Sequence, residues 1–267
     1  MDWFINLSPI WQTLIATFFT WSVTALGALF VCFFKEVNKN VLDTMLGFGA
    51  GVMIAASFWS LLLPAIELSE SLGQISWLAL AAGFLGGGFF VIFSDKFLDK
   101  MLLRRNEKFK SKQDSRRRSI LLVSAITIHN IPEGMAIGIA FASAALNIPN
   151  ATLIAAISLA IGIGLQNFPE GAAVSLPLRR EGYSIKKSFF IGQASALVEP
   201  IAGLIGVVAA MTMRNILPFL LSFAAGAMIA VVMAELVPES TRNNKTKATV
   251  GLIIGFVVMM ILDMALG

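Results

Sequence analysis

The sequence predicts an all-α membrane protein with about eight transmembrane helices. Of its 267 residues, 57% are apolar and 13% are charged, whereas soluble domains carry about 25% charged residues. The charges lie in short stretches between apolar runs of roughly 20 residues, which is the length that crosses a bilayer as a helix. Residues 1–267 are therefore predicted to form a single polytopic transmembrane domain.

Eight apolar runs are long enough to span the membrane, and prolines or polar clusters mark most of their ends. The first run follows a segment without basic residues and is too long for the apolar core of a signal peptide, so we expect it to be retained as a helix. The predicted spans cover approximately residues 10–34, 41–64, 74–94, 119–145, 151–177, 184–211, 216–237 and 248–266.

The positive charges predict the orientation of these spans. The connections after spans one, three, five and seven, together with the first residues of span six, hold 19 of the 20 Lys and Arg residues, and the exception is Arg214. By the positive-inside rule these connections are cytoplasmic and both termini are extracytoplasmic. The longest, a basic cytoplasmic loop at about 96–118, is expected to contact anionic lipid headgroups. Because the charge of +4 resides in such connections, it indicates the bilayer as a partner and no nucleic acid.

Polar residues recur inside spans four and five, in two related hexapeptides. "HNIPEG" begins at His129, the only histidine, and "QNFPEG" begins at Gln166. In each motif the first residue and the glutamate, Glu133 or Glu170, are four positions apart and share one helix face. The two helices run in opposite directions, and both motifs lie about 15 Å from the cytoplasmic end. The motifs are therefore expected to face each other near the middle of the membrane.

Both motifs also contain a proline, Pro132 or Pro169, followed two residues later by a glycine. A proline inside a helix removes a backbone donor and frees a carbonyl on the preceding turn. This pattern predicts interrupted helices of the kind that transporters use at their substrate sites.

Carboxylates at this depth need a compensating charge. Glu133, Glu170 and Glu199 of span six each cost at least about 2.5–3.5 kcal/mol in the bilayer centre, and no Lys or Arg lies beside them in the predicted spans. Carboxylate, imidazole and amide groups suit Zn²⁺, Fe²⁺ or Mn²⁺, and the lack of thiolates argues against Cu(I). A proton relay made of carboxylates alone is the alternative. The candidate metal ligands are His129, Asn130, Glu133, Gln166, Asn167, Glu170 and Glu199.

Other acidic residues lie at the ends of spans. Glu67 and Glu70 follow span two on the outer side, and Glu235 and Glu239 end span seven on the inner side. They are either an entrance and an exit for the ion or solvated helix ends, and the second interpretation is preferred. The same applies to Asp95 and Asp99.

The paired motifs resemble those of the ZIP (Zrt/Irt-like protein) divalent metal transporter family, and its GufA-like branch in particular. "LQNFPEGAAVSLPLR", "GQASALVEPIAG" and "FAAGAMIAVVMAELVPE" carry the resemblance, which extends from about residue 47 to residue 239. It implies a ZIP-like bundle of eight helices and a two-metal site halfway across the membrane. One metal would be held by His129, Glu133, Gln166 and Glu170. The second would share Glu133 or Glu170 and add Asn130, Asn167 and Glu199.

This chain departs from many relatives at two of these positions. Gln166 replaces a frequent histidine, which weakens the preference for zinc. Asn167 replaces an aspartate found in some relatives, which makes the second site less negative.

The resemblance implies import of Zn²⁺, with Fe²⁺, Mn²⁺ or Cd²⁺ as other candidates, into the cytoplasm by alternating access. It also implies a plasma membrane or bacterial inner membrane location and a possible homodimer. We expect no enzymatic activity and no cofactor besides the transported ion. The alternatives are a non-transporting metal sensor and a membrane-embedded zinc-dependent hydrolase. A hydrolase usually needs several histidines and an open water position, and this chain has one histidine and no H-E-x-x-H motif.

Overall fold

The computed structural model describes residues 2–34, 38–105, 113–148 and 151–266, and within them it is built from helices without strands. A 3₁₀ turn at Arg214–Ile216 and π-helices at Ser57–Leu62 and Val232–Leu236 join some of the α-helices. The α-helices are α1 (Asp2–Ile5), α2 (Pro9–Ala28), α3 (Phe30–Phe33), α4 (Lys39–Ala56), α5 (Leu63–Ser71), α6 (Ser76–Arg105), α7 (Gln113–Ala145), α8 (Leu153–Arg180), α9 (Ile185–Ala194), α10 (Val198–Thr212), α11 (Leu217–Val231), α12 (Val237–Ser240) and α13 (Lys245–Leu266).

The eight predicted spans correspond to eight long helical segments, and the all-α membrane fold is confirmed. Seven segments of the described residues are long and apolar enough to cross a membrane. The eighth, α7, has 33 residues and is about 50 Å long at 1.5 Å per residue. The side chains at its basic N-terminal end lie outside the described part of the structure, and its apolar part carries the polar motif at His129.

Helices α6 and α7 extend into the predicted loop at about 96–118. Helix α6 continues to Arg105 and α7 begins at Gln113, while the middle of the predicted loop lies outside the described residues. Lys, Arg, Gln and Glu have high helix propensities. A charged sequence can therefore continue a helix beyond the apolar run that defines a span.

The long helices form two bundles of four. In the first bundle α2 packs along α8 and α7 packs along α10. In the second bundle α4 packs along α13 and α6 packs along α11. The bundles meet mainly where α4 contacts α8 and where α7 contacts α11. The two polar motifs, on α7 and α8, therefore lie in the first bundle and face the second.

An inverted repeat relates the two ends of the chain. Residues 48–55 (FGAGVMIA) and 223–230 (FAAGAMIA) are identical at six of eight positions, and a π-helix and a proline follow each segment. Spans one, two and three correspond to spans six, seven and eight, and span four corresponds to span five. Under this correspondence the pair of α2 and α8 matches the pair of α10 and α7, and the pair of α4 and α13 matches the pair of α11 and α6. Spans two and seven cross in opposite directions, so the repeat is inverted. Transporters built this way hold substrate at the interface between the repeats.

Candidate metal centre

Three ligand-type side chains from the two motifs meet between α7 and α8. His129 Nε2 lies 3.3 Å from Glu133 Oε1 and 3.4 Å from Glu170 Oε1. One ligand atom of each residue lies within 4.8 Å of the other two. None of the three residues is more than 4% exposed. The geometry therefore provides one nitrogen and two carboxylates within reach of a single ion, and these three residues are called the midplane cluster below.

Three amide side chains surround the midplane cluster. Gln166 Nε2 donates to Glu133 Oε1, Asn130 Nδ2 donates to the Ser195 carbonyl at 3.0 Å, and Asn167 Nδ2 donates to Glu199 Oε1 at 2.8 Å. The oxygens of all three amides are buried without a hydrogen-bond partner among the described residues. In each amide the nitrogen donates a hydrogen bond within the protein, while the oxygen, which is the atom that a cation binds, accepts none.

The unpartnered atoms are concentrated in this region. Buried polar atoms in proteins nearly always have a hydrogen-bond partner, and unsatisfied ones are costly in an apolar medium. Seven buried ligand-type atoms in this region have no hydrogen-bond partner within the described ranges. Such unpartnered ligand atoms are what a cation site requires. They are His129 Nδ1 and Nε2, Asn130 Oδ1, Glu133 Oε2, Gln166 Oε1, Asn167 Oδ1 and Glu170 Oε1.

Helices α7 and α8 run through their motifs without a break, and the predicted interruption at the motifs is therefore wrong. Pro132 and Pro169 each remove one backbone donor, but helical structure continues on both sides. The break occurs instead in span six, at residues 195–197 between α9 and α10. There the Asn130 side chain donates to the Ser195 carbonyl, so a side chain from α7 satisfies an acceptor at the end of α9.

The break in span six positions Glu199. This residue lies in the first turn of α10 and is fully buried. Helix N-termini favour negative charge. Its Oε1 accepts from Asn167 Nδ2, and its Oε2 accepts from the hydroxyl of Thr20 on α2.

Thr20 is a site residue that the sequence reasoning missed. The signal was present, because α2 carries four buried threonines at helical spacing: Thr13, Thr17, Thr20 and Thr24. Such a stripe marks a polar face of span one that is turned toward the rest of the first bundle.

The motif glycines allow the helices around the site to approach closely. A Cβ at Gly134 would lie 2.8 Å from the Glu199 Cα, and one at Gly171 would lie 2.8 Å from the Ala28 backbone nitrogen. Only glycine fits at such distances. The two glycines therefore bring α10 against α7 and α2 against α8, beside the midplane cluster.

A cavity of about 60 Å³ leads from the midplane cluster to the end of the bundle that carries the basic connections, called the basic end below. Glu235 Oε2 lies 4.0 Å from His129 Nδ1, and its side chain is 18% exposed. Glu235 is therefore part of the cavity wall and not a fully solvated helix end. The cavity is lined by Leu42, Leu46, Ile126, His129, Glu170, Ala173, Pro177, Glu235, Leu236 and Glu239.

The other acidic candidates lie away from the cluster. Glu239 is exposed and pairs with Arg242 at 3.6 Å, as expected of a solvated helix end. Glu67 and Glu70 belong to α5, at the end opposite the basic end, and Glu70 is exposed. The side chains of Asp95 and Asp99 lie outside the described part of the structure.

Packed apolar residues close the other side of the midplane cluster. Toward the end opposite the basic end, α7 presents Ile137 and Phe141, and α8 presents Leu159 and Ile163. All four are fully buried in the hydrophobic core. The cluster therefore connects to the basic end through the cavity, while apolar side chains separate it from the opposite end.

Comparison with known proteins identifies the family. The profile of the family described as ZIP Zinc transporter matches residues 104–263. Zinc transporter ZIP11 of Xenopus tropicalis is 38% identical, and the match covers 97% of this chain and 98% of the relative. Zinc transporter GufA of Myxococcus xanthus is 37% identical over 95% of this chain and 98% of the relative. Zinc transporter ZIPB of Bordetella bronchiseptica is 39% identical over 92% and 78%. The chain therefore belongs to the ZIP zinc transporter family, in its GufA-like branch.

Proposed function

We propose that this chain carries divalent metal cations, Zn²⁺ first among them, through the midplane cluster to the basic end of the bundle, which we assign to the cytoplasm. Divalent cation transport is the activity of the family to which the chain belongs. The observation that carries the proposal is the convergence of His129, Glu133 and Glu170 within 4.8 Å in a buried position. As a member of this family, the chain is an integral protein of a plasma membrane or bacterial inner membrane.

Charge supports a divalent ion as the occupant of the cluster. Two buried carboxylates in the membrane interior are costly unless a cation accompanies them. Within the described residues, the ion pairs of Glu133 and Glu170 involve only His129, and no Lys or Arg. One divalent ion balances the two carboxylates and binds the His129 nitrogen without any protein cation.

The donor set supports a borderline ion over a soft one. Imidazole, carboxylate and amide groups surround the cluster, and the single thiol, Cys32, is exposed on α3 and belongs to no site described above. Zinc accepts nitrogen and oxygen ligands readily, and iron, manganese and cadmium remain candidates for the same set.

The cavity and the two bundles support alternating access. The midplane cluster connects to the basic end through the cavity that contains Glu235, and apolar packing closes the opposite side. Movement of the first bundle against the second would close one route and open the other. An ion arriving past Glu67 and Glu70 would bind at the cluster and leave past Glu235 and Glu239.

An enzymatic role is not favoured. The relatives named above are zinc transporters, and a catalytic zinc site needs firm ligands together with a position for water. Dimerisation stays a prediction.

Radioactive zinc uptake into proteoliposomes tests the proposal. Vesicles containing the purified protein should accumulate zinc in a saturable manner, and unlabelled Zn²⁺ should compete. Protein-free vesicles of the same lipids are the control. Uptake no faster than in the control, with Fe²⁺, Mn²⁺ and Cd²⁺ failing as well, would contradict transport.

Replacing Gln166 by histidine is expected to shift the metal preference toward Zn²⁺ and away from Mn²⁺. The amide oxygen of Gln166 is unpartnered at the site, and an imidazole nitrogen in its place favours zinc over an ion that prefers oxygen. We expect the ratio of the Mn²⁺ to the Zn²⁺ dissociation constant to rise by at least about tenfold. Equilibrium dialysis of the purified protein measures both constants.

Gln193→His provides the matched control for this measurement. Gln193 lies on α9, outside the midplane cluster, and its Oε1 accepts a hydrogen bond from the Trp21 indole N–H. If both variants keep the wild-type ratio, Gln166 does not contact the ion.

A further inference from the structure

Thr20 and Asn167 hold both oxygens of Glu199. The Thr20 hydroxyl is buried between the Thr17 carbonyl, at 3.0 Å, and Glu199 Oε2. A hydroxyl has one proton to donate, and its hydrogen bond to a carboxylate is the stronger of the two. Asn167 Nδ2 lies 2.8 Å from Glu199 Oε1. Each oxygen of Glu199 therefore accepts a hydrogen bond from a neutral donor.

The Asn167 amide is itself fixed in orientation. Its nitrogen lies 2.8 Å from Glu199 Oε1 and 3.4 Å from the Thr20 carbonyl. The two acceptors match the two protons of the amide nitrogen. The donor side of Asn167 consequently faces Glu199, and turning its oxygen toward Glu199 would break both contacts.

Glu199 is thus stabilised without a cation. The first turn of α10 and two hydrogen bonds from neutral donors surround it. Glu133 and Glu170 differ, because each keeps a buried oxygen without a hydrogen-bond partner among the described residues, and the only ion-pair partner recorded for them there is His129. A ligand for a metal is expected among the unsatisfied carboxylates and not at the satisfied one.

We propose that the centre holds a single ion, and that Thr20 and Asn167 keep Glu199 hydrogen-bonded and outside the coordination of that ion. In this arrangement Thr20 is a positioning residue, because it acts on the ion site only through Glu199. The inference rests on the proposed function, since it concerns how many ions the same centre binds.

The number of zinc ions bound per chain tests this proposal. Purified protein is equilibrated with saturating Zn²⁺ in detergent, dialysed against a low free concentration, and analysed for bound metal by mass spectrometry. We expect one ion in the wild type. Asn167→Asp replaces two donors by a carboxylate next to Glu199, and a cation would then separate the two like charges. We expect a second ion in this variant.

A matched pair at Thr20 isolates the hydroxyl. Thr20→Val keeps the shape of the side chain and removes the donor, which leaves Glu199 Oε2 without its bond. We expect a second ion in Thr20→Val, and a single ion in Thr20→Ser, which keeps the hydroxyl.

Each result is decisive. Two ions in the wild type would overturn the single-ion proposal, and one ion in a folded Thr20→Val would overturn the role of Thr20. No ion in the wild type would contradict the proposed function itself. If Thr20→Val does not elute as a folded species in size-exclusion chromatography, the wild type and Asn167→Asp still decide the number of ions.

Discussion

Replacing Glu170 by glutamine is expected to lower the initial rate of zinc uptake by at least about 100-fold. The Glu170 carboxylate lies 3.4 Å from His129 Nε2 and is buried. Glutamine has nearly the same size but carries no charge, so the cluster would keep only one carboxylate to balance a divalent ion. The rate is measured with radioactive zinc in proteoliposomes that contain equal amounts of wild-type and variant protein.

Glu181→Gln is the matched control for this variant. Glu181 follows the last residue of α8 at the basic end, more than two helical turns beyond Glu170, so the same chemical change occurs outside the cluster. Its uptake rate should stay close to that of the wild type. Wild-type uptake by Glu170→Gln would show that the ion does not depend on this carboxylate.

Gly134→Ala is expected to destabilise the protein strongly, although alanine is the better helix former by about 1 kcal/mol. The added Cβ would lie 2.8 Å from the Glu199 Cα and 3.0 Å from its carbonyl carbon. Both are backbone atoms of α10, which cannot move aside as a flexible side chain can. Overpacking of this kind costs about 1–3 kcal/mol or more, and we expect a lower apparent melting temperature in detergent.

Gly88→Ala separates this effect from helix propensity. Gly88 lies on α6, and a Cβ there would meet its nearest atom at 3.8 Å, which is an ordinary contact. The melting temperature of Gly88→Ala should equal or exceed that of the wild type. If Gly134→Ala melts at the same temperature as Gly88→Ala, α7 and α10 are not in close contact beside Glu199.

The sequence was sufficient to predict where the spans lie and that the two motifs face each other, because both features depend on local periodicity. A run of 20 apolar residues has few alternatives to a membrane helix. Likewise, the spacing from His129 to Glu133 and from Gln166 to Glu170 places each pair on one helix face. The antiparallel course of spans four and five then brings the two faces to a similar depth.

Features that depend on contacts between distant segments could not be predicted from such patterns. The break at residues 195–197 involves Asn130, which is 65 positions away from Ser195. The contact between Thr20 and Glu199 joins residues 179 positions apart. The prolines inside the two motifs also misled the prediction, because helices continue through Pro132 and Pro169. The chain breaks instead just before Pro200, which lies in the first turn of α10 and cannot donate a hydrogen bond to the Ala196 carbonyl.

The most direct test of the midplane cluster as the metal site is to locate the ion. Crystals of the zinc-loaded protein, measured at the zinc absorption edge, would give an anomalous difference map that reports metal positions alone. We expect one peak inside the membrane region, within bonding distance of His129 Nε2 and of the Glu133 and Glu170 carboxylates. A peak elsewhere in the bundle, with none between these three side chains, would contradict it.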